Sequence, residues 1–289
     1  MILSFHPCYV ADENRICAER PPGAADLARI RAAEAVILPQ GCKPELYTMA
    51  RQNAAHIFPN YDVRFGYPGK SGQIRLFREL KVPHPATRLY TSLADFDCGR
   101  ESDAIAREIG FPLVFKLDFG GEGETVARIE SHHHLRSYLQ TAGDHYQGPF
   151  LLQRYVPAAQ RSLRVVIIGT RLISYWRENP DAGGFGTSAG KGARIDHEAA
   201  PRRQHLAREA VCDLCRRSGI NLAGFDLLFQ PTDDRPLFLE INHYFGRRGL
   251  GGSAAFYEIL TAEIDRWLGE LPLGREPAEG FSLSSSNML

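Results

Sequence analysis

The chain has 289 residues, 44% hydrophobic and 24% charged, with 34 basic side chains against 34 acidic ones and a formal net charge of zero. That length suffices for one large domain or two ordinary ones, and such a neutral chain carries no electrostatic footprint for nucleic acid or an anionic membrane. No apolar run approaches the roughly 20 residues needed to span a bilayer. The opening MILSFHPCYVADENR lacks the basic flank and apolar stretch of a signal peptide, so a soluble, cytoplasmic protein is expected. Six scattered cysteines form no disulfide framework. Cys212 and Cys215 lie inside a helical pattern without a second pair to complete a zinc site, and the triplet His132–His134 reads as a solvated helix end.

In chain order, ILSF reads as a strand, ADLARIRAAE as a helix, AVILP as a buried strand, PELYTMARQNA as a helix opened by Pro44, and AHIFP as a strand. That alternation predicts a small parallel sheet, and such sheets bind ligands beyond the carboxyl ends of their strands. Those ends carry His6, Cys8 and Gln40 through Lys43. From Gly69 the pattern changes. A helix over SGQIRLFREL sets Ile74, Phe77 and Leu80 on one face; a short helix over 101–109 stops at Gly110. FPLVFK, ETVARI and PFLLQRYV read as strands, with a helix over HHLRSYLQ. Two hairpins follow, LRVVIIGTRLISYWRE and LAGFDLLF with RPLFLEIN, separated by a glycine-rich loop and a helix near 201–218. The helix SAAFYEILTAEIDRWL precedes a poorly ordered tail.

Three segments carry chemistry. In FDLLFQPTDDRPLFLEIN, Asp226 lies on the first strand, while Glu240 and Asn242 share one face of the second. Two carboxylates and an amide oxygen among apolar residues make a poor core and a good magnesium site, because magnesium takes a few hard oxygen ligands and keeps its other positions for water and phosphate. In FPLVFKLDFGGEGETV, Lys116 closes an apolar strand ahead of Gly120, Gly121 and Gly123. Such a loop can bring N–H groups to phosphate oxygens and close as a lid; a glycine-rich turn alone would look the same. In PFLLQRYVP, Gln153, Arg154, Tyr155 and Val156 offer backbone groups and an amide that suit an adenine edge, although read alone this is simply a strand. Gly69-Lys70-Ser71 matches the end of a phosphate-binding P-loop, but Arg64 stands where that motif needs glycine.

Taken in order, these motifs resemble the ATP-grasp superfamily, and within it the amino-acid and peptide ligase branch that includes glutamate ligases acting on a ribosomal protein. The resemblance covers about residues 69–270. It implies an α+β ATP-grasp fold, two α+β subdomains clasping ATP, preceded by a small α/β unit over 1–68 and followed by a flexible tail over 271–289. Residue by residue, it implies that Lys70 and Lys116 meet phosphate, that Gln153 to Val156 form the hinge against adenine, and that Asp226, Glu240 and Asn242 hold Mg2+, with Mn2+ an alternative. It further implies that Arg164 and Arg177 stand near the phosphates or a substrate carboxylate. The chain departs from the family pattern in four places. Ser162 stands where an acidic residue often meets the ribose, and Arg154 where the hinge often has glutamate. Lys191 is the basic residue in FGTSAGKG, where an arginine is expected. HYFGRRGLGG replaces the usual turn after the metal asparagine, so the substrate cannot be carried over; Arg247 and Arg248 in it could hold a carboxylate by paired hydrogen bonds.

The resulting expectation is an ADP-forming, magnesium-dependent ligase joining a small-molecule or peptide carboxylate to an amine or thiol through an acyl phosphate. A protein that binds ATP for regulation, or a kinase-like variant, is the alternative. Nucleic acid and membrane are not expected partners, and the oligomeric state is left open, with homodimer and homotetramer as candidates.

Overall fold

A computed structural model of the chain describes residues 1–17, 20–93, 96–120, 126–143, 148–158, 161–179 and 192–273. The first strands are β1 (Ile2–Ser4), β2 (Glu13–Asn14), β3 (Ala35–Ile37) and β4 (His56–Phe58), with helices α1 (Ala24–Ala32) and α2 (Pro44–Asn53) between them. They pair in parallel in the order β2-β1-β3-β4, as the alternation of short apolar runs and helices requires. β2 was not expected, since two polar residues carry no strand periodicity. Leu3, Val36, Ile30, Leu46 and Ala50 fill the helix-covered side of this sheet.

Helix α3 (Asp62–Gly66) leads into α4 (Gly69–Glu79), which buries Ile74 and Phe77. α4 begins two residues earlier than its apolar periodicity suggests. Next come β5 (Thr87–Tyr90), α5 (Cys98–Glu108), β6 (Leu113–Leu117), β7 (Val126–Ile129), α6 (His132–Gly143) and β8 (Phe150–Arg154), forming an antiparallel sheet in the order β5-β8-β6-β7. α5 starts at Cys98 rather than near 101 because the Asp97 side chain caps it, accepting from the N–H groups of Gly99 and Arg100. Its core joins Ile105, Phe115, Phe150 and Leu135.

The larger sheet holds β9 (Arg161–Ile168), β10 (Arg171–Glu178), β11 (Arg194–Asp196), β12 (Leu222–Leu228) and β13 (Leu237–Asn242), antiparallel in the order β11-β10-β9-β12-β13. Both expected hairpins are present, and the short edge strand β11 is added. One face packs Leu163, Val165, Trp176, Phe225 and Ile241 against α4 and α7 (Pro201–Ser218). The other packs Val166, Ile168 and Leu222 against α8 (Gly252–Glu270) and against Ile37 and Phe58 of the parallel sheet. The period-two alternation of β9 therefore feeds two cores at once, and near its start the second face turns polar. No helix among the described residues is long and apolar enough to cross a membrane. Of the expected tail, residues 274–289 lie outside the described part.

Candidate functional site

Three paired strands place three charges in one line. Arg164 on β9 pairs with Asp226 on β12, and Asp226 pairs with Glu240 on β13. Gly224 pairs with Asn242, and a Cβ there would press on the Arg164 side chain at 3.2 Å, so a glycine gives that guanidinium its room. Arg177, opposite Ser162 on β10, completes the patch. Arg164, Arg177 and Asp226 are all buried.

Asp226 is fully committed. Its Oδ1 accepts from Arg164 Nε and, at 2.8 Å, from Arg177 Nη2; its Oδ2 accepts from Arg164 Nη2 at 2.9 Å and Asn242 Nδ2 at 3.2 Å. A carboxylate offers about four lone-pair positions, so these four donors fill them. Burial would raise the Asp226 pKa, but the two arginines carry it below the usual carboxylate range. Arg177 also donates from Nη2 to the Ser162 hydroxyl at 2.8 Å, while its Nε is buried without a partner. Ser162 thus orients an arginine.

Glu240 is the opposite case. No hydrogen bond reaches its carboxylate among the described residues, and burial together with Asp226 pushes its pKa up against the opposing pull of Lys116 and Lys70. Lys116 belongs to the smaller antiparallel sheet, while Lys70 opens α4, which packs against the large one. Lys116, near the end of β6, is buried and donates to Gln153 Oε1 at 2.7 Å; burial lowers its pKa to about 8. The Gln153 amide is used at both ends, since Nε2 donates to the Thr87 hydroxyl at 2.9 Å. Gln153 therefore orients the Lys116 ammonium, and both ends of its amide are already engaged within the protein. Lys70, at the start of α4, donates from Nζ to the Gly120 carbonyl at 2.7 Å. The four cations Lys70, Lys116, Arg164 and Arg177 outnumber the three carboxylates Asp118, Asp226 and Glu240, an excess of positive charge that suits a polyphosphate.

A magnesium ion fits the donor set in part. The Glu240 carboxylate and the Asn242 Oδ1 are open hard-oxygen donors, but Asp226 can join them only by releasing one of its four partners. Among the described residues no cluster of three His, Cys, Asp or Glu side chains forms a metal site by itself.

Beyond β13 the chain turns toward the parallel sheet. The Arg247 guanidinium lies 4.5 Å from the Phe256 ring and 4.4 Å from the neighbouring Tyr257 ring. Its Nη1 points to Ser253 Oγ at 3.4 Å and its Nη2 to Gln40 Oε1 at 3.5 Å. Gln40 is buried after β3 and donates to the His243 carbonyl at 3.3 Å. His6, buried beyond β1, meets Tyr257 edge-on at 6.0 Å. The strand ends singled out from the sequence thus meet the unusual turn after Asn242. Among the described residues no carboxylate pairs with Arg247. Its neighbour Arg248 begins a 3-10 turn, Arg248–Leu250, and donates to the Ala193 carbonyl.

The remaining expected residues divide. Arg154 Nε and Nη2 donate to the Ile109 and Glu108 carbonyls at 3.0 and 2.8 Å, so its side chain serves the end of α5. Tyr155 lies under the Arg128 guanidinium at 4.4 Å, and Val156 is buried. Gly120 is described and holds Lys70; Gly121, Gly123 and Lys191 lie outside the described residues. Sequence reasoning missed Asp118, buried two positions after Lys116, and Gln73 on α4. Their side chains act on backbone groups brought near only by folding, so no spacing announces them.

The family model for a RimK-like ATP-grasp domain matches residues 70–255. No curated protein matches the chain significantly. Among solved structures, a RimK domain ATP-grasp protein from Sphaerobacter thermophilus is 16% identical with a TM-score of 0.60, covering 91% of this chain and 99% of its own. D-alanine–D-alanine ligase from Bacillus anthracis complexed with ATP is 15% identical with a TM-score of 0.62, covering 89% and 87%. The ADP complex of N5-carboxyaminoimidazole ribonucleotide synthetase is 12% identical with a TM-score of 0.56; the match takes in 83% of this chain but only 62% of that one. At these identities the likeness speaks for the fold.

Proposed function

Because the chain belongs to the RimK-like ATP-grasp family, we propose that it is an ADP-forming ligase that joins a carboxylate to an amine, with ATP as the activating substrate. The observation that carries this reading is the facing of Lys70 and Lys116 with the Arg164–Asp226–Glu240 line across one cleft. ATP would lie between the two antiparallel sheets, its adenine against the end of β8 and its phosphates between the lysines and the arginines. Glu240 and Asn242 would hold magnesium, which when bound supplies charge neutralisation at the phosphates. The loop beginning at Gly120 would exclude water.

In the first step an oxygen of the substrate carboxylate bonds to the γ-phosphorus, and the bond to the bridging oxygen of ADP breaks. In the second, an amine nitrogen bonds to the acyl carbon, inorganic phosphate leaves, and the nitrogen gives up a proton. Both steps build negative charge on phosphate oxygens, which four fixed cations in a partly dry cleft stabilise without a covalent protein intermediate. Arg247 would hold the acid's carboxylate beside the phosphates, since aromatic faces orient it and no carboxylate among the described residues neutralises it. Arg248, tied to the Ala193 carbonyl, would close that side. The acid and amine are read as a small molecule or peptide pair.

Hydroxylamine tests this directly, because it intercepts an acyl phosphate as a hydroxamate. The reading requires hydroxamate to form from a panel of carboxylic acids only when magnesium and ATP are both present. ATP binding with no acid-dependent hydroxamate or ADP across the panel would instead indicate a nucleotide sensor.

A further inference from the structure

Helix α4 is fastened at two points, and both fastenings lie beside the proposed phosphate site. At its first turn the partner is Asp118, just after β6. The Lys70 N–H donates to the Asp118 carbonyl at 3.1 Å, and the Ser71 N–H donates to Asp118 Oδ1 at 2.6 Å. Asp118 is itself held, its N–H donating to the Pro149 carbonyl at 3.0 Å, and it is buried. Gly69 has φ +71°, and a Cβ there would collide with the Asp118 carboxylate, so glycine is required on both counts. The Lys70 side chain reaches the same segment at the Gly120 carbonyl.

One turn further on, Gln73 clamps β13. Its Nε2 donates to the Ile241 carbonyl and its Oε1 accepts from the Ile241 N–H, each at 2.8 Å. β13 is an edge strand of the large sheet, and a side-chain amide here satisfies the peptide groups that a further strand would have taken. Ile241 stands between Glu240 and Asn242, so fixing its peptide groups fixes where those two side chains emerge.

We infer that Asp118 and Gln73 are positioning residues for Lys70. Between them they set the distance from that ammonium to the stem of the glycine loop on one side and to the Glu240–Asn242 strand on the other. The inference rests on the nucleotide reading above. The Asp118 Oδ1 accepts from the start of the helix, and the Gly120 carbonyl accepts from the Lys70 ammonium, so the stem of the glycine loop holds both ends of that lysine.

A double-mutant cycle separates this role from a general structural one. Calorimetric binding of magnesium with a non-hydrolysable ATP analogue is measured for the wild type, Lys70→Ala, Asp118→Ala and the double variant. Asp118→Ala should weaken binding about tenfold with lysine present and less than about twofold in the Lys70→Ala background. Asp118→Asn, which keeps the acceptor for the Ser71 N–H, should recover most of the loss. Should Asp118→Ala fail to fold, Gln73→Ala takes its place in the cycle, with the same expectation. Equal losses in both backgrounds, or no recovery by asparagine, would overturn the positioning role alone. A wild type that binds no analogue would overturn the nucleotide reading, and this inference with it.

Discussion

Asp226 and Glu240 stand directly opposite each other on paired strands, yet one carboxylate is saturated by two arginines and an amide while the other accepts no hydrogen bond among the described residues. The pair therefore separates a structural charge from an available one. Asp226→Asn leaves Arg164 and Arg177 buried without their counter-ion and should cost about 3–5 kcal/mol of stability. Glu240→Gln removes a charge that burial already disfavours, so stability should stay within about 1 kcal/mol of the wild type. Turnover should nevertheless fall by about a hundredfold or more, as a lost transition-state charge contact does. Denaturant unfolding and ADP release, measured on both variants, check the contrast.

On the proposed reading, Lys116 should make nucleotide binding sensitive to alkali. In the free protein burial lowers its pKa to about 8, with Lys70 pulling the same way and Glu240 and Asp226 opposing. A bound polyphosphate favours the charged form and raises that value, so binding near pH 8 should take up a proton and affinity should fall above it. Calorimetry in buffers of different ionisation enthalpy reads the proton. The stability sign follows from the same values. The unfolded chain keeps this proton to about pH 10.4 while the folded chain releases it from about 8, so the contribution of Lys116 to stability improves as pH rises between them.

Arg247 should control the acid and leave the nucleotide alone. Two aromatic faces hold its plane, and a lysine would supply neither the stacking nor the paired donors. Arg247→Lys and Arg247→Ala should each raise KM for the acid by roughly ten- to a hundredfold, the range for a lost charge-assisted pair, with KM for ATP within about twofold. Steady-state kinetics with each substrate varied distinguishes the two.

Acid should loosen the contact between the parallel sheet and the large one. Burial and Arg247 lower His6 to about 4; burial and Arg64 do the same to His243. Unfolded, both take a proton near pH 6.5. Between those values the unfolded chain binds more protons, so stability falls as pH drops through that window. The Tm should fall across it, and less so for His243→Gln, whose side chain cannot be protonated.

Much of this was legible in the sequence because it rests on periodicity. The alternation in LFLEIN places Glu240 and Asn242 on one face, and the apolar run ending at Lys116 marks a strand before a loop. What was not legible depends on contacts between distant segments. Arg164 and Arg177 were placed by resemblance, but nothing in their spacing shows that both would close on Asp226. Gln153 reads as a ligand group, and nothing in its spacing shows that Thr87 and Lys116 would reach its amide from neighbouring strands. Asp118 and Gln73 bond to backbone, which every residue has, so their partners leave no mark in the chain. Arg154 was read for its place at a strand end, while its long side chain follows the nearest free helix carbonyls.

If the cleft between the two antiparallel sheets uses ATP to activate a carboxylate, ADP must appear only when an acid is supplied. The most direct measurement is ADP and phosphate release from magnesium-ATP across a panel of acids paired with amines, run beside Lys116→Ala and Glu240→Gln. Multiple-turnover ADP release should require both an acid and an amine and should fall by about a hundredfold or more in each variant. ADP formation independent of the acid, or full turnover retained by Glu240→Gln, would contradict it.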